Sequence, residues 1–161
     1  KLCSTMNAFA ALKGTGSVVT WGDASSWGSA AYRAEELSSG VIKVYSNDGA
    51  FAALKESGSV VTWGDPETGG DLSGTEARLS DSIVKISTSD RAFAALRAGG
   101  AVVTWGDPDS GGDSSAVADQ LSSNVVKIID LQHAFAALKD CGSVVTWGAS
   151  QYGGDARAVA R

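Results

Sequence analysis

The stretch Ala53-Leu54-Lys55-Glu56-Ser57-Gly58-Ser59-Val60-Val61-Thr62-Trp63-Gly64 decides the fold. An apolar run ends in a lysine, a short connection contains a glycine, and a β-branched run follows that closes on Trp-Gly. The pattern reads as two strands joined by a hairpin, with Gly58 supplying the positive φ of the turn. The pattern returns at 137 to 148. Working outward, Trp21, Trp63, Trp105 and Trp147 stand 42 residues apart, and Phe9, Phe51, Phe93 and Phe135 keep the same interval. Lys1, Lys43, Lys85 and Lys127 follow it as well, with no insertions. A fixed period of this length marks units that cannot bury a core alone and must stack on one another.

Within a unit, Val125-Val126-Lys127-Ile128-Ile129 reads as a first strand, short and β-branched, with one partly solvated face. Ala134 to Lys139 and Ser143 to Gly148 are the second and third, the alanines leaving room for bulky neighbours. The stretch from Asp107 to Asp113 that follows Trp-Gly, rich in proline, glycine and aspartate, is a surface loop. From Ser114 to Leu121 two readings stay open: one helical turn, with Val117 and Leu121 four apart, or an extended run to the next unit. Gly40, Ser82 and Asn124 share the position before the next first strand, which points to a left-handed residue, serine being its least comfortable member. Short strands joined by hairpins favour antiparallel propeller blades over a parallel β-helix.

The expectation is therefore an all-β chain: a single repeat domain over 1–161, a β-propeller-type array of four 42-residue blades. Their boundaries fall at about 1–40, 41–82, 83–124 and 125–161. The first is truncated at its N-terminus and the last at its C-terminus, because Lys1 falls at the third residue of a first strand. That register favours four units of a larger propeller. Half of a ring completed by another copy, or an open arc capped by a partner, are the alternatives.

Composition narrows the function classes. The chain has 161 residues, 43% hydrophobic and 19% charged, ordinary for a globular protein. The net charge of −5 and the lack of a segregated basic cluster argue against nucleic acid as a partner. The longest apolar runs, such as Ala8 to Leu12, fall far short of the roughly 20 residues of a membrane helix, so no membrane span is expected. The compartment stays open. Cys3 and Cys141 occupy different repeat positions, which excludes a repeated bridge or metal-ligand spacing; free thiols are the reading, with a single bridge left open.

The string Ala-Leu-Lys-x-x-Gly-Ser-Val-Val-Thr-Trp-Gly at 53 to 64 and 137 to 148 resembles the repeats of the regulator of chromosome condensation family. The resemblance extends over all four units, and the short unit is similar to the compact blades of the β-lactamase inhibitor protein II type. Both imply a propeller, usually seven-bladed, which at this period would take about 290 residues. The family commonly follows its Trp-Gly with Asn and a Gly-Gln-Leu-Gly sequence, whereas Trp105-Gly106 leads here to Gly111-Gly112-Asp113-Ser114. Fold and binding habit carry over; residues for nucleotide exchange on a small GTPase do not.

No catalytic constellation stands out, and neither enzyme activity nor a cofactor is expected. Tryptophans and phenylalanines repeated in register at strand ends are packing between blades, since a buried indole removes roughly 150 to 250 Å² from water. The carboxylates Asp107, Asp109 and Asp113, echoed by Asp65, Glu67 and Asp71, lack the spacing of a calcium loop, and turn-forming or capping roles account for them. His133, the only histidine, corresponds to Asn7, Gly49 and Arg91 elsewhere, so the scaffold does not need it. No glycine run has the lysine and hydroxyl ending of a phosphate loop. What remains are positions where one unit departs from its siblings: Trp27, Tyr32, Tyr45, Arg91, His133 and Tyr152, the candidates for partner binding. The expected function is a non-catalytic protein-protein interaction module or scaffold subunit using blade-edge loops. Its partner would be another protein or a multi-subunit assembly, with self-association completing a ring. The alternatives are a regulatory propeller segment of a larger protein, such as a small-GTPase exchange factor or a ubiquitin-ligase-associated chain, and a sugar- or metal-binding propeller.

Overall fold

A computed structural model describes residues 1–23, 29–72 and 74–155. It contains four three-stranded antiparallel sheets, one per repeat. They are β1 (Leu2–Ser4), β2 (Ala8–Leu12) and β3 (Val18–Gly22); β4 (Val41–Ser46), β5 (Ala50–Lys55) and β6 (Val60–Gly64); β7 (Ile83–Thr88), β8 (Ala92–Arg97) and β9 (Val102–Gly106); and β10 (Val125–Asp130), β11 (Ala134–Lys139) and β12 (Val144–Gly148). The first strands of successive sheets lie side by side, β1 by β4, β4 by β7 and β7 by β10, so they form the inner edge of a propeller arc.

The hairpin expected from the opening sequence is present in every blade. Its glycines, Gly16, Gly58, Gly100 and Gly142, all have φ between 78° and 88°. Hairpin register then places Phe51 opposite Trp63 and Phe93 opposite Trp105, and each such pair stacks with ring centroids 5.1 to 5.5 Å apart.

Strand alternation sorts the side chains into two faces. Phe93, Ala95, Val103 and Trp105 point to the preceding blade, where they meet Ala50, Ala52, Leu54 and Val60. The next interface repeats this, with Phe135, Ala137, Val145 and Trp147 on Ala92, Ala94, Leu96 and Val102. Small residues on one face receive rings from the other, so the core lies between blades rather than within them. Trp105 and Trp147 also donate from Nε1 to the carbonyls of Gly69 and Gly111, both at 3.1 Å, in the preceding blade. Trp21, in the first blade, is half-exposed because no preceding sheet covers it.

Backbone bonds stitch neighbouring blades at both ends. At one end the Val125 N–H donates to Gly100 and that of Val102 to Leu121; at the other Asp48 donates to Asp90 and Asp90 to Gln132. The segment that allowed two readings is a compact turn: a 3-10 turn spans Ser115–Val117, Leu121 N–H donates to the Val117 carbonyl, and the buried Leu121 side chain plugs the blade interface. One feature was not foreseen. A register shift between Val125 and Lys127, repeated at Val41/Lys43 and Ile83/Lys85, turns two successive residues outward and exposes Ile42, Val84 and Val126 on the inner strands.

Gly40, Ser82 and Asn124 have φ of 72°, 62° and 65°, the left-handed conformation expected at this position. A serine there carries a backbone penalty of about 1 kcal/mol that glycine escapes. Ser82→Gly is therefore expected to raise the melting temperature by about 2–4 °C, measured by scanning calorimetry. Cys3 and Cys141 are both free thiols. Among the described residues no helix is long and apolar enough to cross a membrane.

Candidate functional site

One end of the arc carries the turns between first and second strands and the loops that follow each Trp-Gly. Between the third and fourth blades these segments enclose an open groove of about 510 Å³. Its walls begin with local capping. Asp107 accepts at Oδ1 from the Asp109 N–H (3.0 Å), fixing the 3-10 turn Pro108–Ser110, as Asp65 does for Glu67 at 2.9 Å. The turn following β11's partner strand, Ser150–Tyr152, has Ala149 at the capping position and no side-chain cap.

Arg91, on the turn between β7 and β8, is held by an ion pair from Nε to Asp107 Oδ2 at 2.9 Å, with a longer approach from Nη2 to Glu67 Oε2 at 3.7 Å. His133, at the same repeat position one blade on, packs its ring edge-on against Tyr152, the centroids 4.6 Å apart. Its Nδ1 lies 3.2 Å from Ser110 Oγ, while Nε2 is 4.0 Å from Asp90 Oδ2. The groove thus sets an aromatic pair against a braced guanidinium, with Glu67, Asp90, Asp107 and Asp109 around them.

Serine, histidine and aspartate in sequence invite comparison with a catalytic triad, but the geometry is wrong. Ser110 is buried, and its hydroxyl donates to Asp107 Oδ2 at 3.3 Å. Ser110 Oγ is shared between Asp107 and His133 Nδ1, and the carboxylate beside the other ring nitrogen, Asp90, stands 4.0 Å from Nε2, too far to hydrogen-bond and orient the ring as a triad aspartate does. The arrangement fixes the His133 ring; it does not activate a nucleophile.

Of the six positions singled out from the sequence, three converge here: Arg91, His133 and Tyr152. Tyr32 is exposed on the connection between the first two blades, beneath the Arg33 guanidinium at 5.5 Å. Tyr45 is partly buried against the interface of the second and third blades, with Lys43 Nζ 4.6 Å over its ring. Trp27 lies outside the described residues. Sequence reasoning did not select Asp90, Asp107 or Ser110 as groove residues. The usable signal was an arginine at a position otherwise held by Asn, Gly and His, in the same repeat as the capping Asp107.

Three of the carboxylates weighed as calcium ligands bond backbone amides. Besides Asp65 and Asp107, Asp113 accepts from the Ser115 N–H at 2.8 Å. That bond first, then one from the Ser115 side chain, holds the Asp113 carboxyl below its ordinary value, so its small stabilising effect is lost as pH falls through the lowered value. A larger cavity of about 660 Å³ beside β12 is lined by Val145, Thr146 and Trp147, residues common to every repeat, and belongs to the scaffold.

No family model matches the chain, and no curated protein matches it. Solved structures do. Prp20p of Saccharomyces cerevisiae, the yeast RCC1, is similar with a TM-score of 0.64 at 17% identity, over 94% of this chain and 44% of that one. The chain has an RCC1-like propeller fold. Human WBSCR16 is similar with a TM-score of 0.58 at 17% identity, over 92% of this chain and 47% of that one. The CRINKLY WD40 ectodomain of the Arabidopsis thaliana receptor kinase ACR4 gives 0.57 at 17% identity, over 91% and 51%. The chain spans about half the length of these proteins, and its four blades fit a partial RCC1-like propeller.

Proposed function

We propose that this chain is a non-catalytic, protein-binding propeller module whose specificity lies in the groove between the third and fourth blades. One observation carries the reading: Arg91, His133 and Tyr152, each a departure from the repeat, meet in a single concavity while the repeated residues are spent on packing. Prp20p has been studied for its binding to Gsp1p and histones, and yeast RCC1 has been seen with Kap60 bound, so related folds serve protein recognition. The groove's size suits a few side chains of a polypeptide segment. Glu67 and Asp107 face the Arg91 guanidinium, Asp90 stands beside His133, and Asp109 lines the same groove, so carboxylates outnumber the one guanidinium, which Asp107 already pairs. A segment bearing lysine or arginine beside an apolar side chain for the His133–Tyr152 pair complements it.

The test is an array of immobilised peptides varied in charge, probed with the intact chain. Basic peptides should bind more weakly as salt rises, and Tyr152→Ala should lower affinity about tenfold, the effect of truncating an interface anchor. Because Tyr152 is partly exposed, the same variant should melt close to the parent. Equal binding by parent and variant, or no preference for basic peptides, would sink the reading.

A further inference from the structure

Arg91 occupies a seat that other parts of the chain build. Its Nε lies 2.9 Å from Asp107 Oδ2 and its Nη2 3.7 Å from Glu67 Oε2, so one guanidinium spans carboxylates from the loops of two successive blades. Asp107 does not depend on Arg91 for its position. Its Oδ1 accepts from the Asp109 N–H at 3.0 Å and its Oδ2 from the Ser110 hydroxyl at 3.3 Å. The second blade shows the same loop without the cation: Asp65 keeps its cap on the Glu67 N–H at 2.9 Å, although Gly49, which has no side chain, stands at the repeat position of Arg91. The capping carboxylate is thus set by its own loop, and the arginine is an addition to it.

The addition fits imperfectly. Arg91 Nε is buried without a hydrogen-bond partner, so its approach to Asp107 is a contact of charge that lacks the alignment of a hydrogen bond. A guanidinium meets a carboxylate best through two parallel N–H bonds, a fit that Arg91, tethered to the adjoining turn, does not reach. Its head group is nonetheless accessible from the groove, since the Arg91 side chain as a whole is 42% exposed and that of Glu67 83%. Exposed pairs of this kind contribute little to stability, so exchanging the cation beside Asp107 costs the fold little.

We infer that Arg91 is a placeholder: it fills a guanidinium seat between Asp107 and Glu67 that an arginine side chain of the bound segment takes over as Arg91 swings out. The inference rests on the reading of the groove as a site for basic segments, and it narrows the recognised cation from lysine or arginine to arginine. Carboxylates on two different loops suit a planar fork of donors better than a compact ammonium. The His133–Tyr152 pair then receives the neighbouring apolar side chain. Arg91 thereby sets specificity as well as affinity, because it screens the seat from weak cations and yields to a guanidinium that is free to align.

The test removes the placeholder. In Arg91→Ala, methylguanidinium should shift the amide NMR resonances of Asp109 and Ser110 saturably, with a midpoint about fivefold below that of the parent chain, the upper range for freeing an exposed ion pair. Methylammonium should act more weakly. A peptide carrying one arginine beside a leucine should bind Arg91→Ala about fivefold tighter than the parent, and the gain should vanish when citrulline replaces the arginine. Arg91→Asn, with the residue that the first repeat holds at this position, repeats both measurements if circular dichroism shows Arg91→Ala misfolded. Weaker peptide binding by the variants would overturn the inference, since Arg91 would then be a contact for the partner. Equal methylguanidinium midpoints in variant and parent, or no shift in the variant, would overturn it as well. Failure of the groove reading looks different: methylguanidinium titrates Arg91→Ala ahead of the parent while no basic peptide binds either protein, which supports the seat and removes the peptide. Conversely, a parent that prefers basic peptides and loses them with Tyr152→Ala, yet gains nothing from Arg91→Ala, keeps that reading and overturns this one.

Discussion

Trp105→Ala is expected to lower stability by about 3–5 kcal/mol, the range for truncating a large aromatic in a packed core. Trp105 is buried, stacks on Phe93 with centroids 5.1 Å apart, and donates to the Gly69 carbonyl of the preceding blade. Its removal opens a cavity between two sheets and leaves that carbonyl without its partner, so the loss falls on the joint between the second and third blades. At about 2–4 °C per kcal/mol, the melting temperature should drop by roughly 10 °C or more. Trp105→Phe separates the contributions by keeping a ring and losing the N–H, and should cost about 1–2 kcal/mol. Trp21→Ala is the control at the same repeat position. Half-exposed and uncovered by any sheet among the described residues, Trp21 should cost less than half as much when truncated. Urea denaturation of the three variants checks all of this. Equal losses for Trp105→Ala and Trp21→Ala would mean that the repeated tryptophans stabilise their own blades and not the joints.

What was legible in the sequence follows from the range of the interactions involved. Second and third strands, expected at Ala134–Lys139 and Ser143–Gly148, lie at Ala134–Lys139 and Val144–Gly148, because a hairpin pairs residues close in sequence and Gly142 marks its turn. The left-handed position of Ser82 and Asn124 was legible because glycine holds it in the first unit. The bulge at Val125/Lys127 was not, since Val-Val-Lys is equally compatible with regular alternation and the shift depends on pairing with β11. Packing direction also lay beyond the sequence: nothing in the repeat says which face meets the preceding blade, and only that choice identifies Trp21 as the uncovered tryptophan. The candidate site was legible as residues but not as a place. Arg91, His133 and Tyr152 come from separate turns, and blade stacking alone brings them together. Tyr45 shows the converse. It departs from its siblings as Tyr152 does, but it sits on the inner strand against the third blade, so its ring is partly buried in the core.

Gly111→Ala is the second change with a large expected effect, about 3 kcal/mol or more, because two penalties meet at one methyl group. Gly111 has φ 92°, a conformation costing an L-residue about 1–2 kcal/mol. The added Cβ would also stand 2.6 Å from Phe135 Cδ2 and 2.9 Å from Cε2. Phe135 cannot retreat, being buried and stacked on Trp147 with centroids 5.4 Å apart, so relief requires the blades to separate or the loop to shift. Overpacking of this kind costs about 1–3 kcal/mol. A shifted loop would disturb the carbonyl that accepts from Trp147 and the neighbouring Ser110 that fixes His133, so the groove should weaken together with the fold. Gly153→Ala isolates the packing component. It carries the same left-handed penalty at φ 88°, but its methyl enters open space, and its cost in dilute solution should be about 1–2 kcal/mol.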